Sequence, residues 1–340
     1  MAPSLLQRVE NGKILSRTQA EEAMEEILSG RAETPEIVSL LRAMNARPIE
    51  PQELAGFATV MRRHAAPVFS DKRLRPAHLI DTCGTGGDGC DTFNISTVAA
   101  IVASAAGASV AKHGNRAASS RCGSADVLEA LGVRIDIPLE RCGKAIREIG
   151  LGFLFAQAAH SATRHATQAR KQIGERTAFN LLGPLTNPAG AHSQLVGVYS
   201  VEVIDLMAAT LAELGVQRAF VVHGADGLDE ISLSGETYVA ELYEGSVKRY
   251  TVTPEDFGMS RAPIESLRGG DTAQENAALI REVLNAQPGP RRDIGIINAA
   301  AALVASGIAA NFQDGAKLAA NAISSGLAQK KLAALVAFTN

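Results

Sequence analysis

The chain has 340 residues, 46% of them apolar and only 4% aromatic, with no tryptophan, so its core is built mainly from Ala, Val, Ile and Leu, and its length suits one large or two moderate domains. With 33 Lys+Arg against 36 Asp+Glu and a net charge of −3, it lacks the basic excess of a nucleic-acid-binding domain. No stretch reaches the ~18 apolar residues expected of a membrane span, and the N-terminus carries no basic segment leading into a long apolar run, so a cytoplasmic protein without a signal peptide is expected.

The first ~70 residues read as helices only. Ser16-Arg17-Thr18-Gln19 is a capping-box pattern opening a run that ends at Gly30. Thr34-Pro35 opens a second helix and Glu50-Pro51 a third, to about Ala65. From Pro76 the pattern changes: His78–Thr82, Ser109–Lys112, Phe153–Ala156, Gln194–Tyr199 and Arg218–Gly224 read as strands. Helices alternate with them at Ser96–Ala106, Ser124–Leu131, Leu139–Ile149, Ala162–Gln172 and Glu202–Leu214. This alternation predicts an α/β domain with a mainly parallel sheet behind a small all-helical domain. Tyr238–Leu242 and Val247–Thr253 around Gly245 form a possible hairpin, and the chain after Gln287-Pro288-Gly289-Pro290 is again helical. The expected division is 1–72 and 73–340, with part of 165–192 joining the smaller domain.

Two glycine-punctuated loops follow strands and open helices. The first is DTCGTGGDGCDTFNIST, Asp81 to Thr97, where Gly84, Gly86 and Gly87 allow close backbone approach and Asn94 and Thr97 stand at the helix mouth. The second, KHGNRAASSRCGSADVLEALG, Lys112 to Gly132, adds Lys112, Arg116 and Arg121 together with hydroxyl and amide donors. Either alone is an ordinary turn or a solvated charged loop; together they favour a ligand carrying more than one phosphate. Asp226-Gly227-Leu228-Asp229-Glu230 follows the strand ending at Gly224. By itself it is an acidic turn, but beside a diphosphate it supplies hard oxygen ligands for Mg²⁺. His160 and His165 have the wrong spacing for a helical metal pair, and Arg170 on the same helix suits a carboxylate. Cys83, Cys90, Cys122 and Cys142 form no C-x-x-C pair and have no zinc-finger histidines, so reduced thiols are expected.

In this order and at these separations, GTGGD with NIST, KHGNRAASS with GSADVLEALG, RTAFNLLGPLTNPAG, and HGADGLDE resemble the anthranilate phosphoribosyltransferase family, from about residue 5 to the C-terminus. The resemblance implies transfer of the phosphoribosyl group of 5-phosphoribosyl 1-diphosphate to the amine of anthranilate, in tryptophan biosynthesis. It also implies the nucleoside phosphorylase-like fold and a homodimer joined through the helical domain, with no nucleic-acid or membrane partner. By motif position it places Gly84, Gly87, Asp88, Thr92, Asn94, Ile95, Ser96 and Thr97 on the donor. Lys112, His113, Gly114, Asn115, Arg116, Ala117, Ala118, Ser119, Ser120 and Ser124 wrap the same molecule. Gly84, His113, Asn115, His160, Arg170, Gly183 and Pro184 line the acceptor's route. Ser96, Asp229 and Glu230 hold Mg²⁺, two ions per monomer, and no residue acts as a classical acid or base.

The chain departs from the family where a FAPxxHPAMK-like segment is usual. It has Phe155-Ala156-Gln157-Ala158-Ala159-His160-Ser161-Ala162-Thr163-Arg164, which leaves acceptor preference open. The alternatives are a pyrimidine nucleoside phosphorylase and a non-catalytic, nucleic-acid-binding relative of the same fold. The first expects a KHSTGG-type loop, which is absent here. The acidic balance and the intact motifs speak against the second.

Overall fold

The computed structural model describes residues 1–117 and 121–340. Its helices open with α1 (Pro3–Glu10), α2 (Arg17–Leu28), α3 (Thr34–Asn45) and α4 (Pro51–His64). The reciprocal capping of Ser16 and Gln19 starts α2, and prolines in the first turn start α3 and α4. Glu53 of α4 is fully buried yet satisfied, because Arg47 grips it at 2.6 and 2.8 Å and the Leu15 N–H donates to it.

The larger part continues as β1 (Leu79–Asp81), α5 (Ile95–Ala105), β2 (Ser109–Gly114), α6 (Ser124–Ala130), α7 (Leu139–Ile149), β3 (Leu151–Phe155) and α8 (Ala156–Ala159). Next come α9 (Arg164–Ile173), α10 (Phe179–Leu185), β4 (Ser193–Gly197), α11 (Ile204–Glu213), β5 (Arg218–Gly224), β6 (Thr237–Tyr243) and β7 (Ser246–Val252). The chain closes with α12 (Ala273–Leu284), α13 (Pro290–Ala305), α14 (Phe312–Ser324) and α15 (Leu327–Thr339). The sequence pattern did not reveal α1 or α12.

Among the described residues the seven strands form one sheet in the order β3-β2-β1-β4-β5-β6-β7. The first five are parallel; β6 and β7 pair antiparallel across a turn where Glu244 and Gly245 both have positive φ, the twist that suits a two-residue hairpin. Strand order reverses between β1 and β4, and at such a switch point the loops after the strands part to leave a crevice.

One face of the sheet is covered by α5 and α13, most of whose residues are buried and about a third of which are alanine, so these helices pack closely. The other face shares a core with the N-terminal helices: Ile27, Leu40 and Phe57 belong to the same cluster as Ala166, Leu182, Met207 and Val221. Thus α9 and α10, between β3 and β4 in sequence, pack against α2, α3 and α4. Among the described residues no helix is long and apolar enough to cross a membrane.

Candidate active site

The crevice at the switch point opens into a cavity of about 820 Å³. Its floor is the loop after β1. The Thr85 N–H donates to Gly197 O at 2.8 Å, and the Tyr199 N–H returns to Thr85 Oγ1 at 3.1 Å, fastening this loop to the end of β4. Gly197 must be glycine because an added Cβ would fall 1.4 Å from the Asp229 carbonyl oxygen. That close approach brings the acidic turn after β5 against the glycine loop: the Gly86 N–H donates to Asp229 Oδ2 at 2.9 Å, and the Asp229 N–H reaches Asp88 Oδ2 at 3.4 Å.

Across the floor, Lys112 is 3% exposed and its Nζ donates to Thr82 O and Ser96 Oγ, both at 3.2 Å. This fixes one cation under the mouth of α5. Asp229 and Glu230 are recessed beside it. Burial, followed by the Asp88 carboxylate, pushes the Asp229 carboxyl up to about 7; burial and then Asp229 hold Glu230 well above the usual carboxylate range. Were both ionised, these hard oxygen donors would carry more negative charge than Lys112 offsets; burial and that crowding together favour their protonated forms.

The second loop forms the rim. Asn94 Nδ2 donates to Cys122 O at 3.0 Å, joining the two loops. Arg116 pairs with Asp126 at 2.9 Å and Glu129 at 2.5 Å, and Arg121 pairs with Asp91 and Asp271. Two of the three cations read from the sequence are therefore already matched by carboxylates, and Lys112 is the one on the floor.

At the far end, His113 and His160 meet edge to face with ring centroids 5.2 Å apart. Burial holds both imidazoles neutral, His113 down to about 3 and His160 to about 4. Arg170 on α9 lines the cavity with its guanidinium 5.3 Å from the Phe179 ring centre, and among the described residues it has no carboxylate partner.

Nearly all the residues singled out from the sequence share this cavity: Gly84, Gly87, Asp88, Thr92, Asn94, Ile95 and Ser96, then Lys112 through Ala117, Ser124, His160, Arg170, Gly183, Asp229 and Glu230. Ala118, Ser119 and Ser120 lie outside the described residues. Thr97 and Pro184 do not line it. Thr97 is one helical step beyond Ser96, which turns its side chain into the core at 1% exposure. Pro184 is buried inside α10, where its carbonyl accepts from Gln194 Nε2 at 2.6 Å.

Two further residues escaped the sequence reading. Arg176 lies over the Tyr199 ring at 4.0 Å and donates to Gly87 O at 2.5 Å, while Asn45 Nδ2 holds its carbonyl at 2.6 Å. It ties the segment before α10 to the glycine loop, and its place at the head of RTAFN was the available signal. Asn298, fully buried in α13, accepts from the Ile231 N–H at 2.9 Å and donates to Ile231 O at 3.0 Å, clamping the residue after Glu230. In the sequence it showed only as a polar interruption of the apolar run from Ile296 to Ala310.

A switch-point crevice, a glycine loop, a buried lysine and a recessed acid pair define the class: an α/β protein built to take a phosphorylated small molecule. Comparison with known proteins narrows it. The glycosyl transferase family's a/b domain matches residues 76–329, and its helical bundle domain matches residues 3–65. Anthranilate phosphoribosyltransferase of Pelotomaculum thermopropionicum is 50% identical over 339 residues, covering 100% of this chain and 97% of the relative. The Thermus thermophilus enzyme of that name superposes with a TM-score of 0.92 at 45% identity, covering 98% of this chain and 99% of the other. The Saccharomyces cerevisiae enzyme in complex with PRPP and Mg gives 0.89 at 28% identity, covering 100% and 98%. The same yeast enzyme with 4-fluoroanthranilate gives 0.86, covering 99% and 98%. The chain belongs to the anthranilate phosphoribosyltransferase family.

Proposed function

We propose that this chain transfers the phosphoribosyl group of 5-phosphoribosyl 1-diphosphate to the amine of anthranilate. The products are N-(5-phosphoribosyl)anthranilate and diphosphate, a step of tryptophan biosynthesis in the cytoplasm. The observation that carries this reading is one cavity holding, at one end, Lys112, Ser96 and the Asp229–Glu230 pair against a glycine loop and, at the other, an arginine without a carboxylate partner. The names of the full-length relatives, and the PRPP and 4-fluoroanthranilate bound by the yeast enzyme, support the pairing of donor and acceptor.

The donor lies along the loop from Gly84 to Ser96, its phosphates met by Lys112, by backbone N–H groups of the glycine turn and by the mouth of α5. Transfer at the ribose C1 builds positive charge on the sugar as the diphosphate departs. Lys112 therefore stabilises charge on the leaving group, where it develops most. The oxygen-rich set of Asp229, Glu230 and the Ser96 hydroxyl fits Mg²⁺ and would hold it, two ions per chain; such a cation would favour the ionised carboxylates and supply positive charge against the diphosphate.

The acceptor's aromatic amine is unprotonated near neutral pH and needs no strong base. Arg170 orients its carboxylate in a two-pronged contact, and the neutral His113 and His160 add no competing charge to that end. The helices α1–α4, with α9 and α10, act as the smaller body; Arg176 fastens that body to the glycine loop and helps exclude water. The same helical unit forms the homodimer contact, with Ile14 exposed upon it.

The test is anthranilate fluorescence during incubation with phosphoribosyl diphosphate and Mg²⁺. The proposal expects a decrease that requires all three additions. A folded protein that leaves the emission unchanged overturns it.

A further inference from the structure

We propose that Asp81, Cys83 and His113 form a second metal site, for a thiophilic divalent cation of the zinc class, on the face of the sheet opposite Lys112. Pairing of β1 with β2 sets Leu79 beside Ser109 and Ile80 beside Val110. Asp81 ends β1, and Cys83 lies two residues beyond it in the loop that follows. On β2 the two-residue period turns His113 to the face opposite Lys112. One ligand atom from each of the three lies within 4.8 Å of the others.

Asp81 and His113 are each already held by one polar atom, while the Cys83 thiol donates to Gly84 O at 3.5 Å and would give up that bond on binding a metal. The His113 N–H donates to Asp81 Oδ1 at 3.0 Å, which leaves Oδ2 as the free oxygen. His113 Nδ1 lies 3.2 Å from Gly183 O; a carbonyl only accepts, so Nδ1 carries the hydrogen and Nε2 keeps its lone pair. Asp81 Oδ2 and His113 Nε2 are buried and among the described residues neither has a well-aligned hydrogen-bond partner, although the Asn187 amide is near enough to Asp81 to favour its charged form. Buried acceptors left without partners are costly unless something binds them. Backbone and carbonyl groups orienting a carboxylate and an imidazole are the outer support usual around metal ligands.

The donor set names the cation. Carboxylate, thiolate and imidazole together suit Zn²⁺, which takes three protein ligands and leaves a fourth position open, whereas Mg²⁺ takes oxygen. On binding, the metal–sulfur bond forms as the Cys83 thiol proton leaves to solvent, and thiolate and carboxylate offset the two charges of the ion. Cys83 and His113 both line the cavity, so the open position faces it. An ion there sits under the acceptor end and competes with the acceptor; this consequence, unlike the site, rests on the proposed function.

The probe is Co²⁺, titrated into the full chain under reducing conditions with Mg²⁺ in excess. The site predicts one Co²⁺ per chain, with a sulfur-to-cobalt charge-transfer absorption in the near ultraviolet and visible bands of a tetrahedral ion, all displaced by Zn²⁺. Cys83→Ala abolishes the charge-transfer absorption and Cys90→Ala keeps it, each with a cooperative melt confirming the fold. Should Cys83→Ala not fold, Cys83→Ser, close in size, serves in its place. Absence of the absorption in the parent chain, or its persistence in the Cys83 variant, overturns the site. Zn²⁺ is further expected to raise the anthranilate KM in the parent and not in Cys83→Ala; binding without that rise overturns the competition alone.

Discussion

Replacing Asn298 by leucine isolates the support of the acidic pair from its chemistry. The side chain is fully buried, accepts from the Ile231 N–H at 2.9 Å and donates to Ile231 O at 3.0 Å and Ile294 O at 3.1 Å. Leucine has similar bulk but leaves the N–H and C=O of Ile231 without these partners, in a residue only 1% exposed. At about 1–3 kcal/mol for each of the two abandoned groups, the loss is about 2–6 kcal/mol, less than the roughly 10 kcal/mol typical of a domain, so the variant is expected to fold. The freed segment adjoins Glu230, and loss of support around a metal site typically weakens affinity by about 10–100-fold.

Two measurements are needed: the urea midpoint, and the Mg²⁺ concentration giving half the maximal rate. Ile294→Ala, on the same helix and fully buried, is the control; its cavity costs about 2–5 kcal/mol without touching Ile231. Asn298→Leu is expected to shift both measurements and Ile294→Ala the midpoint alone. An unchanged Mg²⁺ response in Asn298→Leu, or an equal shift in the control, refutes a positioning role.

Arg170→Ala removes a charge-assisted contact worth about 1.5–3 kcal/mol, so the anthranilate KM should rise roughly 10–100-fold while the donor KM stays within about twofold; steady-state kinetics with either substrate varied decides it. Gly197→Ala drives a methyl group into the Asp229 carbonyl and should lower the melting temperature and weaken donor binding together, whereas an unaltered melt would mean that the turn yields freely. For His160, the folded pKa near 4 lies below the ordinary 6.5, so the unfolded chain takes up the proton first and acid destabilises the fold between those values, by about 1.4 kcal/mol per pH unit. The raised carboxyls of Asp81 and Asp229 act in the opposite sense, so the quantity to read is the difference in urea midpoint between the parent and His160→Gln. That difference should narrow or reverse from about pH 6.5 to 4.5 in the variant's favour, and a constant difference would contradict a neutral, buried imidazole.

The sequence made legible whatever is local. Hydrophobic runs and glycine turns located β1 to β5, and the two glycine-punctuated loops were visible because their donors sit within a few residues of one another. The hidden features depend on contacts between distant residues. Asn298 reaches Ile231 across 67 positions and Arg176 reaches Gly87 across 89, spans over which one chain's pattern carries no pairing signal. The Thr97 side chain turns from the cavity for a geometric reason: side chains at successive helix positions diverge by about 100°, so the Ser96 hydroxyl faces the cavity and the Thr97 hydroxyl the core. The absence of Cys–His spacing along the chain likewise hid the meeting of Cys83 with His113, which parallel strand pairing alone creates.

Calorimetric titration of phosphoribosyl diphosphate, with and without Mg²⁺, into the parent chain and into Asp229→Asn with Glu230→Gln is the most direct test of the central claim. The parent should bind the donor far more tightly when Mg²⁺ is present, and the double variant should lose most of that gain while keeping its cooperative melt. Equal Mg²⁺-dependent tightening in both proteins would contradict a cavity in which the acid pair, the glycine loop and Lys112 act on one diphosphate.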